Sequence, residues 1–313
     1  MKYSERLAKL KPWMLPIAMI CGILFHGVID SVQFLAPYLI FAMLLITFCR
    51  IRPSEFSFPA LVWCIVAIQI FGGIGAFFAL KPFSVDIAQG TMICFLCPTA
   101  TAAPVITAML GGSITILVAI SIVSNIALAI IGPAFLAYAG EGAAGHISFV
   151  DSFLLIMAKV GPMIIGPMIL AFLLLWLTPK VHKSLADHQS LSFYLWAVSL
   201  ILVVGRAVTF AMAEPSDRIP EMLALALLAG GTCILQFIIG RKFGQHFGDR
   251  IAGAQGLGQK NTVLAVWLAT TYLNPISSIA PAAYIAWQNS INAFQIYRKQ
   301  KTDKNLSPDV KHI

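Results

Sequence analysis

Ten apolar runs, separated by short charged or Pro/Gly-rich breaks, take up almost the whole chain. They cover approximately residues 12–29, 32–49, 58–80, 84–110, 113–138, 149–177, 191–213, 219–240, 250–273 and 275–297. A helix needs about 20 apolar residues to cross the hydrocarbon core of a bilayer. A soluble globule of 313 residues could not hide this many such runs. Of the residues 59% are hydrophobic and 11% charged, where soluble domains carry about 25% charged residues. A disordered chain needs the opposite bias. The six cysteines lack zinc-ligand spacing and lie mostly inside apolar runs, which excludes a secreted disulfide scaffold. The expected fold is an all-α membrane protein of ten transmembrane helices, with the lipid bilayer as its principal partner.

The charge pattern orients those spans. The chain carries 21 basic and 13 acidic residues, a net +8. The basic residues gather on no single face; they form short clusters between apolar runs, which argues against a nucleic-acid partner and for the positive-inside bias. The first run follows Lys2, Arg6, Lys9 and Lys11, as a signal peptide would, but no small-residue cleavage pattern follows. It reads as a retained helix. An even number of spans places both termini on one side. Taking that side as cytoplasmic groups those four residues with Arg50, Arg52, Lys180, Lys183, Arg241, Lys242, Arg250, Arg298, Lys299, Lys301, Lys304 and Lys311. The opposite loops hold only Lys81 and Arg218, with seven acids. A multi-pass cell (inner) membrane protein with both ends cytoplasmic follows.

Two spans are poor continuous helices. Span four carries Pro98 and Pro104 amid Cys97-Pro-Thr-Ala-Thr-Ala102, and span nine carries Gly253, Gly256 and Gly258 ahead of Gln259, Lys260 and Asn261. Proline removes a backbone donor and clashes with the preceding turn, and glycine supports a helix weakly. Irregular backbone at membrane depth must be buried in protein or line a wet cavity. Pro98, Pro104, Gly256 and Gly258 are the expected helix breaks. The break midpoints, near 101 and 259, are about 158 residues apart, so the chain reads as two five-helix halves, 1–138 and 149–297, followed by a basic cytoplasmic tail, 298–313. An odd number of spans per half inverts the second against the first. Paired interruptions in inverted halves mark the binding site of secondary transporters; two kinked structural helices are the plainer alternative.

Several pieces in order resemble the bile acid:sodium symporter family: Pro37-Tyr38 to Pro53-Ser-Glu-Phe56, Cys97-Pro98-Thr-Ala-Thr-Ala102, Gly111-Gly-Ser with Ser121, Ser124 and Gly132-Pro133, Gly258-Gln-Lys-Asn-Thr262, and Trp287-Gln-Asn289. The resemblance covers most of the chain. It implies a core domain of spans 3, 4, 5, 8, 9 and 10, with spans four and nine crossing at their breaks. A panel domain of spans 1, 2, 6 and 7 would move against it in alternating access.

The resemblance also implies where sodium would sit, and this sequence departs from the family pattern there. The first site would draw on Ala103, Pro104, Leu117, Ser121 and Gly256, of which only Ser121 offers a side-chain oxygen. The second would draw on Gln69, Gly256, Leu257, Gln259 and Lys260. Gln69, Ser121 and Gln259 are thus remnant sodium positions, and Lys260 places a positive charge where the ion would lie. Two-sodium coupling is not expected of this chain; no cofactor is expected either, and a proton is the other candidate ion.

No Asp or Glu falls in mid-span, whereas Lys159, Arg206 and Lys260 do. A charge deep in the bilayer costs about 2.5–3.5 kcal/mol on insertion scales and counts as functional by default, although Lys159 and Arg206 are long enough to snorkel. Lys260 reads as a built-in replacement for the ion. Either it stays protonated and holds the crossing together, or it loads and releases a proton during the cycle. Cations without acids, and half-helix N-termini at the breaks, favour a small organic anion as substrate, bile-acid-like or another organic acid. Arg206 would help attract it. Thr99, Thr101, Asn261, Thr262 and Asn289 are the candidate lining groups, each of which could instead satisfy helix carbonyls freed by the breaks.

Other signals read as packing. Cys94 and Cys97 lie in an apolar helix without thioredoxin-like context, His26 is isolated, and the Gly72-Gly73 and Gly230-Gly231 pairs suit close helix approach. An intramembrane enzyme would need paired carboxylates or a nucleophile–base pair, and a receptor or scaffold would leave the matched breaks unexplained. The expected function is organic-anion transport, with a sodium symporter using backbone ligands as the alternative. The sequence carries no signal for oligomeric state.

Overall fold

The computed structural model describes residues 14–49, 57–100, 103–140, 149–187 and 189–306. Thirteen helices of eight or more residues lie in these segments: α1 (Met14–Leu24), α2 (Ala36–Phe48), α3 (Ala60–Leu80), α4 (Val85–Leu96), α5 (Ala103–Leu110), α6 (Ile114–Ala139), α7 (Phe149–Leu177), α8 (Pro179–Asp187), α9 (Gln189–Ala213), α10 (Ile219–His246), α11 (Arg250–Gly258), α12 (Thr262–Tyr272) and α13 (Ile279–Leu306). Short 3₁₀ turns precede α2, α10 and α13. Among the described residues there is no strand, only one isolated bridge between Thr99 and Lys260.

Apart from α8 and the end of α13, the helices are apolar on nearly every side, as expected of segments buried or solvated by lipid. Trp63, Phe71, Trp176 and Leu227 point outward, exposed. Four helical stretches, Ser31–Phe48, Ala60–Leu80, Ile114–Ala139 and Ser216–His246, are long and apolar enough to cross a membrane, and shorter apolar helices accompany them. The protein is therefore all-α with several helices of membrane-spanning character.

Polar side chains start the helices where chain direction changes. Ser84 accepts from the Ile87 N–H, Ser113 from Ile116, and Asp249 from Ile251 and Ala252, each satisfying donors that a helix N-terminus leaves open. The α10–α11 hairpin closes on glycine. A Cβ built on Gly253 would stand 2.4 Å from the Gly240 carbonyl oxygen, and one on Gly240 would stand 2.3 Å from that of Gly253. Only glycine admits two backbones this close.

Packing falls into two groups. Helices α1, α2, α7 and α9 rest on one another, while α3–α6 and α10–α13 form a second set, with α6 against α7 and α9 against α12 joining them. Three boundaries differ from the sequence reading. Residues 179–187, read as a loop, form α8, whose Pro179 sits where a helix tolerates proline. Helix α10 runs six residues beyond its apolar stretch, to His246. Helix α13 continues through Leu306, so the segment assigned to a tail from residue 298 begins as helix; once nucleated, a helix adds residues without needing an apolar face.

Candidate functional site

Helix α4 stops because Cys97 precedes a proline, which drives the preceding residue out of the helical region; Cys97 has φ −59° and ψ 139°. Helix α11 stops at Gln259, extended at φ −89° and ψ 113°. Each stop leaves its last carbonyls without helical donors, and in apolar surroundings those groups need partners.

At the end of α4 every one of the last four carbonyls is satisfied. Ile93 accepts from the Cys97 N–H (3.0 Å), Cys94 from Gln236 Nε2 (3.2 Å), Phe95 from Lys260 Nζ (2.8 Å) and Leu96 from Gln69 Nε2 (2.8 Å). At the end of α11, Gln255 accepts from the Gln259 N–H (3.0 Å), Gly256 from Thr99 Oγ1 (2.8 Å) and Gly258 from Tyr284 Oη (2.8 Å). The two breaks then pair directly. The Ala100 N–H donates to the Gln259 carbonyl (3.0 Å) and the Asn261 N–H to that of Pro98 (2.8 Å), a single antiparallel bridge centred on Thr99 and Lys260.

Lys260 is 1% exposed, and Phe95 oxygen is the one hydrogen-bond acceptor its amine meets among the described residues. Its amine lies at the C-terminal, electronegative end of α4, where a donor is favoured. Gln288 holds the same residue from behind: its Oε1 accepts from the Lys260 N–H (2.9 Å) and its Nε2 faces the Lys260 carbonyl at 3.4 Å.

The other candidates divide clearly. Gln69, Thr99, Gln259, Asn261 and Thr262 are all buried at the crossing. Asn261 Oδ1 caps α12 through the Leu264 N–H (3.2 Å), and the Thr262 N–H bonds the Lys260 carbonyl (2.9 Å). Thr101 lies outside the described residues. Ser121 is one turn removed on α6. Its carbonyl accepts from Ser124 Oγ (3.0 Å), and Ser124 Oγ in turn accepts from the Thr99 N–H (3.3 Å). Ser124, then, is the hydroxyl that reaches the crossing. Asn289 does not join it. Its Nδ2 returns to the Ile285 carbonyl of its own helix (2.7 Å), and neighbouring Gln288 takes the inward position, since consecutive helical residues point about 100° apart. Arg206 sits on α9, its guanidinium 5.5 Å from the Phe210 ring centroid.

Two of the expected breaks lie inside helices. Gly256 belongs to the last turn of α11, where a Cβ would meet Ile120 Cδ1 at 2.7 Å; close packing demands it, while the chain turns later. Pro104 occupies the first turn of α5, where no helical N–H is lost. Pro98 lies in the break itself and Gly258 ends α11. Of the glycine pairs, Gly72 and Gly73 press on Phe95 and Leu96, Gly230 on Trp287, and Gly231 faces open space.

No family model and no curated protein sequence matches this chain. The site's chemistry therefore rests on its own atoms. Gln236, Tyr284, Gln288 and Ser124 are uncharged and were not among the expected site residues, yet a lone amide or hydroxyl in an apolar run carries the same signal as a charge. Gln69 Oε1, Gln259 Oε1 and Asn261 Nδ2 are buried without a partner among the described residues. Three polar atoms with unused hydrogen-bonding capacity beside a broken backbone are what a polar guest or ordered water would satisfy. Beyond the crossing, Arg218 pairs with Asp86 on α4, with Glu214, and with Glu221 on α10. Asp86 also accepts from Asn274 Nδ2 (2.5 Å) and Glu221 from Ser84 Oγ (2.5 Å).

Proposed function

We propose that this chain is a secondary transporter of the bile acid:sodium symporter type that moves a small organic anion by alternating access, and that it is not driven by two sodium ions. The observation that carries the reading is the backbone pairing of two broken apolar helices at Thr99 and Lys260, with a lysine amine seated on a half-helix end. A plain helical scaffold has no use for such a joint.

Chain spacing supports ten spans in two inverted five-helix repeats. Ala60 and Ile219, the starts of α3 and α10, are 159 residues apart; Val85 and Arg250, starting α4 and α11, are 165 apart; Thr99 and Lys260 are 161 apart. The bridging residues are thus equivalent positions of the two halves, and the two bridge hydrogen bonds exchange under the same relation. An antiparallel bridge has a local two-fold axis, the symmetry an inverted repeat requires. On this reading α1, α2, α7 and α9 form the panel and α3–α6 with α10–α13 the core, in an inner membrane with both termini cytoplasmic.

The Lys260–Phe95 bond favours the role in which Lys260 holds the crossing together as a strut. Substrate attraction then falls to the N-terminal ends of α5 and α12, which begin at the crossing. A second reading, sodium coupling through backbone and amide oxygens, is favoured by one observation: Gln69 Oε1 and Gln259 Oε1 are buried acceptors with no donor among the described residues.

The test is uptake into proteoliposomes across a panel of steroid and short organic acids, with sodium and proton gradients imposed separately. Anion uptake indifferent to sodium is expected. Stimulation by sodium would move the conclusion to the second reading, and carriage of only cations or neutral solutes would overturn both.

A further inference from the structure

Where α10 and α13 continue past their apolar stretches, they carry Arg241 and Arg298–Lys299 alongside Arg250 at the start of α11. Two adjoining cavities open there. One, about 500 Å³, has walls of Phe237, Ile238, Ile291 and Phe294 and is edged by Arg241 and Arg298. The other, about 480 Å³, is lined by Gly111, Gln245, Gly248 and Asp249. Arg250 and Lys299 line both. An apolar groove therefore runs into a polar pocket, with cations at the junction. This lies nine residues along α11 from the crossing, about 13 Å at 1.5 Å per residue.

Asp249, the acid that lines the second cavity, is turned to backbone donors. Asp249 spends one oxygen on the Ile251 and Ala252 N–H groups and the other on the Ser113 N–H (2.6 Å). Among the described residues no carboxylate pairs with Arg241, Arg250 or Lys299. Ile234, Ile238 and Phe294 are exposed on the outer side of the groove, where a bilayer would supply acyl chains.

We infer that this composite cavity binds an anionic glycerophospholipid of the cytoplasmic leaflet, with its acyl chain along Phe237, Ile238 and Phe294 and its phosphate between Arg250 and Lys299. The sequence of surfaces, apolar then cationic then polar, repeats the order of groups in such a lipid. The site is separate from the crossing and rests on the proposed orientation alone, so its failure would leave the transport reading standing. Basic pockets between transmembrane helices on the cytoplasmic side suit anionic headgroups, and each cavity falls within the usual range of ligand sites, about 300–1,000 Å³.

Native mass spectrometry of the full chain in neutral detergent tests this, with phosphatidylglycerol and phosphatidylcholine of identical acyl chains. Phosphatidylglycerol is expected to bind more tightly, and Arg241→Gln and Lys299→Gln to weaken it roughly fivefold each. Lys183→Gln on α8 should change nothing, and the variants' melting in lipid-free detergent shows that they remain folded. Equal binding of the two lipids, unchanged binding in the variants, or full displacement of phosphatidylglycerol by millimolar glycerol phosphate would each overturn the inference.

Discussion

Lys260 joins an expectation read from sequence to a specific bond in the structure. A lone cation at the break in span nine reads from sequence as a stand-in for the ion, either as a strut or as a proton carrier. Packed at 1% exposure against the Phe95 carbonyl, it is spent on the backbone. Replacing it with methionine, Lys260→Met, keeps the volume and leaves that carbonyl without a donor, which costs about 1–3 kcal/mol. A thermal-unfolding series in detergent should show that loss. Uptake that keeps its full dependence on a proton gradient in Lys260→Gln would exclude the proton-carrying role. Gln288 and Asn289 make a sharper pair. Gln288→Leu removes the acceptor on the Lys260 N–H and should destabilise by about 1–3 kcal/mol. Asn289→Leu should stay within about 0.5 kcal/mol of the parent. Equal effects would place both side chains wrongly. Neighbouring amides are indistinguishable in a sequence; only rotation about the helix axis, set by what α13 packs against, tells them apart.

At the scale of elements, apolar run length, with proline in one run and glycine in the other, located both interruptions. The runs at 84–110 and 250–273 resolve into α4 with α5 and α11 with α12, broken within a few residues of the expected midpoints. What composition could not supply was the bonding of the broken ends. Those partners come from α3, α10 and α13 through Gln69, Gln236 and Tyr284, contacts between residues far apart in the chain. Helix α8 was missed because Lys180, His182 and Lys183 made it look like a charged loop. Glycine offers a direct test of the packing. Gly253→Ala drives a methyl to 2.4 Å from the Gly240 carbonyl and should destabilise the α10–α11 hairpin by about 1–3 kcal/mol. Gly231→Ala, with nothing within 4 Å, should be neutral or stabilising by at most about 1 kcal/mol. Comparing the two melting temperatures decides whether close backbone approach, or glycine content by itself, matters there.

For the whole molecule, the two ends of the bundle are tied in different ways. At one end Arg218 gathers Asp86, Glu214 and Glu221, linking the starts of α4 and α10. At the other, Asp249 joins the start of α11 to Ser113 at the start of α6. Arg218→Gln removes the cation from the Asp86 carboxylate, whose side chain is 11% exposed, leaves it the Asn274 amide, and should lower stability by about 1–3 kcal/mol. The proposed orientation makes these ends distinguishable in intact cells: a membrane-impermeant maleimide should label Ser216→Cys and spare Lys183→Cys. The reverse pattern would invert the topology.

The joint at the centre is made of main chain, from Ala100 to Gln259 and from Asn261 to Pro98. Main-chain bonds are blind to the side chains that accompany them. The Thr99 and Lys260 side chains add bonds of their own, to the Gly256 and Phe95 carbonyls, but the bridge itself asks only that no proline remove an amide at 100 or 261. On the proposed transport reading, such a scaffold can change its cargo or its driving ion by ordinary point mutation while the bridge stays inherited.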